Sequence, residues 1–173
     1  EGPEVSVRQR VADLQAALQS HLASKAPKGD GVLFEQLGAA VSSALWKGIR
    51  NAAPFAGTAD QIWRISTAPT EGAALVDELR ARGLPIARHY YDWAGGLIWL
   101  ALEPAADAHH GLVREVVAHH GGHATLLRAD AAVRAQVAVF QPQPEALAAL
   151  TARVKRGFDP ELILNRGRMR GDI

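Results

Sequence analysis

Between residues 61 and 128 the spacing of apolar side chains switches repeatedly between two periods, and the order of those switches leaves few folds open. Residues 61–67 alternate apolar and polar side chains, as a half-buried strand does. Residues 70–82 take helical spacing, with Thr70 placed to cap the first turn and Gly83 to end the last. Residues 85–92 and 97–102 read as two strands joined through Trp93-Ala94-Gly95-Gly96, a hairpin signal. Residues 105–120 read as a second helix, closed by Gly121-Gly122, and residues 123–128 as a fourth strand. The order β-α-β-β-α-β is the ferredoxin-like split βαβ arrangement. It predicts an α+β fold: an antiparallel four-stranded sheet with both helices on one face and Trp63 and Ile65 beneath them.

Helices are expected on both flanks. Residues 5–23 place Val7, Val11, Leu14, Leu18 and Leu22 on one stripe, which makes an amphipathic helix. Residues 25–31, with Pro27, Gly29 and Gly31, form a connector and the best candidate for disorder. Helical spacing returns over residues 34–50 through Leu37, Val41, Leu45 and Ile49, and residues 51–60 read as a loop. Beyond the fourth strand, residues 131–140 have no clear type. Residues 144–156 read as a helix with Leu147, Leu150 and Val154 turned inward. A chain of 173 residues is long enough to bury one core without a disulfide or a metal. The expected organisation is therefore a single domain: a helical part over 1–60, the ferredoxin-like core over 61–128, and a helix and tail over 129–173.

Composition removes several functions. The chain has no Cys, so disulfides, Cys-ligated zinc, iron–sulfur ligation and a cysteine nucleophile are all excluded. The formal net charge is +1, with basic residues scattered apart from Arg166, Arg168 and Arg170. A nucleic-acid interface needs a basic face interleaved with aromatics, so no nucleic-acid partner is expected. No apolar run approaches the roughly 20 residues of a membrane helix, so no direct membrane insertion is expected. Neither G-x-G-x-x-G nor G-x-x-x-x-G-K-[ST] occurs, so the backbone cradle that wraps a dinucleotide's pyrophosphate is absent. A G-x-S-x-G elbow is also missing, which disfavours a hydrolase.

Five histidines lie between His109 and His123. The pairs His109-His110 and His119-His120 sit about ten positions apart, roughly 15 Å along a helix, too far to share one ion. His120 and His123 are separated by the Gly pair, with no carboxylate near in sequence, and no metal site is expected. His123 enters a strand beside glycines that let a ligand approach closely, and its imidazole can exchange a proton near neutral pH. A strand-end His bonded to the neighbouring helix is the plainer alternative. On the first strand Trp63 and Ile65 share one face while Arg64 and Ser66 share the other. A guanidinium there can pair bidentately with a small carboxylate, or can serve the sheet face or a subunit interface. Asp92 is expected to shape the hairpin after Tyr90-Tyr91.

The tail Phe158 to Met169 reads FDPELILNRGRM and resembles the C-terminal signature FDPxGILNPGRM of the FAD-linked oxidase family. It departs at Glu161-Leu162, where the family has a small residue and Gly, and at Arg166, where it has Pro. The segment LWKGIRNAAPFAGTADQIWRISTAPT and the later GGHATLLRA further resemble the FAD-binding, E-type subunit of bacterial glycolate oxidase, in the same order and over nearly the whole chain. This resemblance implies the C-terminal cap portion of a larger flavoprotein whose FAD-binding domain is not in this stretch, in keeping with a chain that opens on Glu1 rather than Met. It implies FAD as cofactor, a small 2-hydroxy acid as substrate, glycolate oxidised to glyoxylate, and partnership with the chain's own N-terminal FAD-binding domain and with flavin and iron–sulfur subunits. His123 and Arg64 are then the candidate catalytic residues, and Asn165 and Arg168 the candidate cofactor contacts. The cap alone is expected to be inactive, and to reside in the cytoplasm or at the cytoplasmic membrane face through its partners. The rival expectation is a non-catalytic ferredoxin-like module that binds a small ligand or docks a catalytic subunit.

Overall fold

A computed structural model describes residues 2–23 and 35–167. The 25–31 connector, the Leu22 side chain and Arg168 lie outside the described residues. The chain divides into two compact units, Glu1–Ala53 and Pro54–Ile173. The first holds α1 (Glu4–Ala23) and α2 (Ala39–Arg50). An i,i+4 pair of Glu4 with Arg8 lies on the first turn of α1, where an acidic group also suits the helix dipole. Helix α2 starts at Ala39, later than its apolar spacing predicts, and its stripe residues Val41 and Leu45 are exposed, as is Trp46.

The second unit contains β1 (Gln61–Ser66), α3 (Gly72–Ala81), β2 (Ile86–Asp92), β3 (Leu97–Leu102), α4 (His110–His119), β4 (His123–Arg128), α5 (Ala131–Gln136) and α6 (Glu145–Phe158). The four strands pair in the order β2-β3-β1-β4, every neighbouring pair antiparallel. With α3 joining β1 to β2 and α4 joining β3 to β4, this is the ferredoxin-like arrangement. The core lies between the sheet and the two crossover helices. Trp63 and Ile65 of β1, Ile98, Leu100 and Leu102 of β3, and Ala124 and Leu126 of β4 meet Leu75, Val76 and Leu79 of α3 and Val113, Val116 and Val117 of α4. Trp63 anchors this layer. Its indole Nε1 donates to the Ala108 carbonyl at 3.1 Å, and the Arg114 guanidinium stands over its ring at 5.5 Å. The ring thus keeps its apolar burial without stranding its N–H.

Both crossover helices end the same way. Gly83, at φ +81, follows α3, and the Leu84 amide reaches back to the Leu79 carbonyl; Gly121, at φ +68, follows α4, and the Gly122 amide reaches back to Val117. Each closure satisfies carbonyls that the last turn would otherwise leave open, and each puts glycine at the left-handed position, where it adopts the backbone without strain. Helix starts are less regular. Thr70 does not cap α3, which begins at Gly72 after Glu71, and Glu71 makes no side-chain cap. Helix α4 begins at His110 rather than 105, because Ala108 and His109 take left-handed backbone and Asp107 Oδ1 accepts from the His109 amide. An Asx-type turn wins over helix there. Helix α6 runs on to Phe158, but Leu147, Leu150 and Val154 are exposed rather than inward, so its apolar stripe meets no core among the described residues.

Candidate functional site

The face of the sheet away from α3 and α4 carries Arg64 and Ser66 of β1, Tyr90 of β2, Trp99 of β3, and His123 and Thr125 of β4. Alternation sends these side chains opposite to the buried Trp63, Ile65, Leu100 and Leu126. Its two ends differ. At one, Phe55 stacks on Tyr90 with ring centroids 5.4 Å apart, and Tyr90 stacks on Trp99 at 5.9 Å. Two arginines bind the loop that carries Phe55 to this end. Arg88 Nη1 donates to the Pro54 carbonyl at 2.7 Å, while Arg128 donates to the Asp60 and Phe55 carbonyls at 2.9 and 2.8 Å and to Thr58 Oγ1 at 2.7 Å.

The other end is polar. Ser66 lies opposite His123 in the β1–β4 register and Arg64 opposite Thr125, so Arg64 and His123 are diagonal neighbours on adjacent strands. Diagonal positions lie about 7–8 Å apart, a span that a two-carbon acid can bridge. His123 is exposed and Arg64 partly so. The guanidinium sits 5.8 Å from the Trp93 ring in the β2–β3 connection, a cation–π contact that restrains it without using its hydrogen-bond donors. Asp92 shapes that connection as its position suggested: its Oδ1 accepts from the Trp93 amide at 2.8 Å. The structure therefore places both candidate catalytic residues on neighbouring strands of one sheet face.

The tail is organised by one carboxylate. Asp159 is buried and accepts from the Ile163 and Leu164 amides, each at 2.9 Å, and from Lys155 Nζ; Lys155 also donates to the Leu164 carbonyl. The Lys155 ammonium, with the two amides, holds the Asp159 carboxyl below the usual carboxylate range. Leu162 and Asn165 have φ values of +51 and +50. Asn165 is exposed. Arg168 lies outside the described residues.

A second group of polar side chains stands on the helix layer. His120 is pinned by two carboxylates, one just before α3 and one within it, with Nδ1 2.9 Å from Glu71 Oε2 and Nε2 3.1 Å from Glu78 Oε2; His119 Nδ1 is 3.0 Å from that same Glu78 oxygen. Hydrogen bonding to Glu71, then to Glu78, raises the His120 pKa against the effect of burial, and the His119 contact leads those that lower that of Glu78. Spacing along α4 alone could not find this group, because its carboxylates come from another helix. Its trace in the sequence is the seven-residue interval from Glu71 to Glu78, two helical turns on one stripe. No protein-family model matches the chain, and no curated protein or solved structure does so either.

Proposed function

We propose that the chain is the cap portion of an FAD-dependent 2-hydroxy-acid oxidoreductase of the glycolate oxidase type, whose uncovered sheet face closes over the substrate. One observation carries the reading: Arg64, Ser66 and His123 lie on neighbouring strands at the polar end of that face, with His123 exposed and the other two half-buried. In this assignment Arg64 pairs with the substrate carboxylate, Ser66 hydrogen-bonds beside it, and His123 takes the proton of the substrate hydroxyl. The helix starts of the second unit do not fit the dinucleotide itself. Acidic groups flank the helix starts in this unit, with Glu71 before α3, Asp107 before α4, Asp130 before α5 and Glu145 in α6, where a phosphate needs bare amides. The pyrophosphate would have to be held by a separate domain. Flavin would supply the hydride acceptor, and this chain supplies placement and the polar face.

The tail lends support. Leu162 holds left-handed backbone at the position where the FAD-linked oxidase signature carries Gly, so the turn keeps a shape that the usual residue would adopt without strain. A docking role for the same chain is favoured by the exposed apolar stripe of α6, with Leu147, Leu150 and Val154 followed by Phe158.

The test is a glycolate titration of the purified chain followed by NMR. Shifts centred on His123 and Ser66, with millimolar affinity that drops by at least about tenfold in Arg64→Gln, are expected for loss of a paired charge. Perturbations unchanged by that substitution, or a purified chain that is yellow with stoichiometric flavin, would overturn the assignment.

A further inference from the structure

The geometry points to a binding site for a divalent transition metal of the zinc class, formed by Glu78 Oε2, His119 Nδ1 and His120 Nε2, on the helix layer and independent of the sheet-face reading. The three ligand atoms all lie within 4.8 Å of one another, and the Glu78 oxygen is 3.0 Å from one imidazole nitrogen and 3.1 Å from the other. A tetrahedral ion with bonds of about 2.0–2.2 Å separates its ligands by roughly 3.3–3.6 Å. Movements of a few tenths of an ångström bring those two edges to that span, and the third edge, between the two imidazole nitrogens and within 4.8 Å, comes to it by rotation of the exposed His119 side chain. Two imidazoles and one carboxylate suit zinc, nickel or cobalt. Calcium and magnesium call for oxygen shells instead. One coordination position would remain open to solvent.

Two of the three ligands are already held in place. His120, whose side chain is 11% exposed, is gripped at Nδ1 by Glu71 Oε2, leaving Nε2 for the ion. A carboxylate on the far nitrogen of a ligating imidazole fixes its tautomer and orientation, and this is the usual outer support of a histidine–zinc bond. The backbone is held as well, since Thr67 Oγ1 donates to the His120 carbonyl at 2.9 Å. Glu78 Oε1 faces Arg82 at 3.9 Å, which leaves Oε2 turned to the histidines. Arg82 is in turn bound by both oxygens of Glu115, at 2.9 and 3.1 Å, which offsets its charge near the ion. The third ligand, His119, is 73% exposed on the last turn of α4 and is the one free to adjust.

The experiment titrates Zn2+ alone into the tag-free, chelator-stripped 173-residue chain by calorimetry, with the absorbance of Co2+ as a readout of coordination. One saturable equivalent is expected, with the intense visible bands of four-coordinate Co2+. Glu78→Gln and His119→Ala should each weaken binding by at least about tenfold, and Glu71→Gln by about 10- to 100-fold through the orientation of His120. His109→Ala should change nothing. Metal-free melting curves of each variant show whether the fold persists, and Glu78→Asp, which withdraws the oxygen by one methylene, serves if another variant fails to fold. Failure to bind one Zn2+ more tightly than about 100 μM, or binding that survives Glu78→Asp and His119→Ala, would overturn the site.

Discussion

Leu162 shows how one residue can hold a conformation that its side chain disfavours. Left-handed backbone costs an L residue about 1–2 kcal/mol, and the surrounding turn supplies the compensation through Asp159, whose carboxylate gathers the Ile163 and Leu164 amides. Leu162→Gly should therefore leave the melting temperature unchanged or raise it, whereas a leucine-to-glycine change in ordinary backbone lowers it. Asp159 gives the same turn a pH dependence. Its folded pKa is depressed, first by Lys155, so its stabilisation is present above the ordinary aspartate value near 3.8 and disappears as pH falls through the lower folded value. Hydrogen-exchange protection of the Ile163 and Leu164 amides should be steady near neutrality and collapse in that acid range. In Asp159→Ala, protection should be absent at every pH.

Two glycines that end neighbouring helices separate the cost of backbone shape from the cost of space. Gly83 has left-handed backbone with nothing within 4 Å of where a Cβ would stand, so Gly83→Ala should cost only the conformational strain, about 1–2 kcal/mol. A Cβ on Gly122 would meet the Ser66 carbonyl at 2.5 Å, and that oxygen belongs to the central strand. Gly122→Ala should accordingly cost more, about 2–4 kcal/mol by urea unfolding, because β1 itself must move. These closures were legible in the sequence, as were the strands, because alternation over 61–66 marks a half-buried strand and the Trp93-Ala94-Gly95-Gly96 turn marks a hairpin between its flanking runs. Helix starts were less legible. At Thr70 and at 105–109 local turn chemistry competes with helical spacing, and composition does not say which prevails. The polar sheet face could be read from Arg64 and Ser66 alone, but the Glu71–Glu78–histidine group could not, since its members meet only after α3 and α4 pack. For α6 the apolar spacing was read correctly as a helix and its burial wrongly, because periodicity shows that a stripe exists and not what covers it.

At the scale of the whole molecule, every residue of the main core lies between Trp63 and Val137, inside the second unit. A truncated chain of residues 54–173 should therefore fold alone, with a single cooperative thermal transition and the near-ultraviolet signal of a rigidly packed Trp63. Loss of that signal on truncation would show that the first unit is needed to complete the core. The strand order β2-β3-β1-β4 also bears on how the protein is made. The strand synthesised first takes the middle of the sheet, and both its partners come later, the last of them about 60 residues further along, a wait on the order of 3–12 s at ordinary elongation rates. Until β3 emerges about 36 residues on, the tryptophan-bearing strand has two unsatisfied edges, and until β4 emerges it still has one. Its protection during synthesis must come from the α3 segment that follows at once, or from a chaperone, before the final strand closes the sheet.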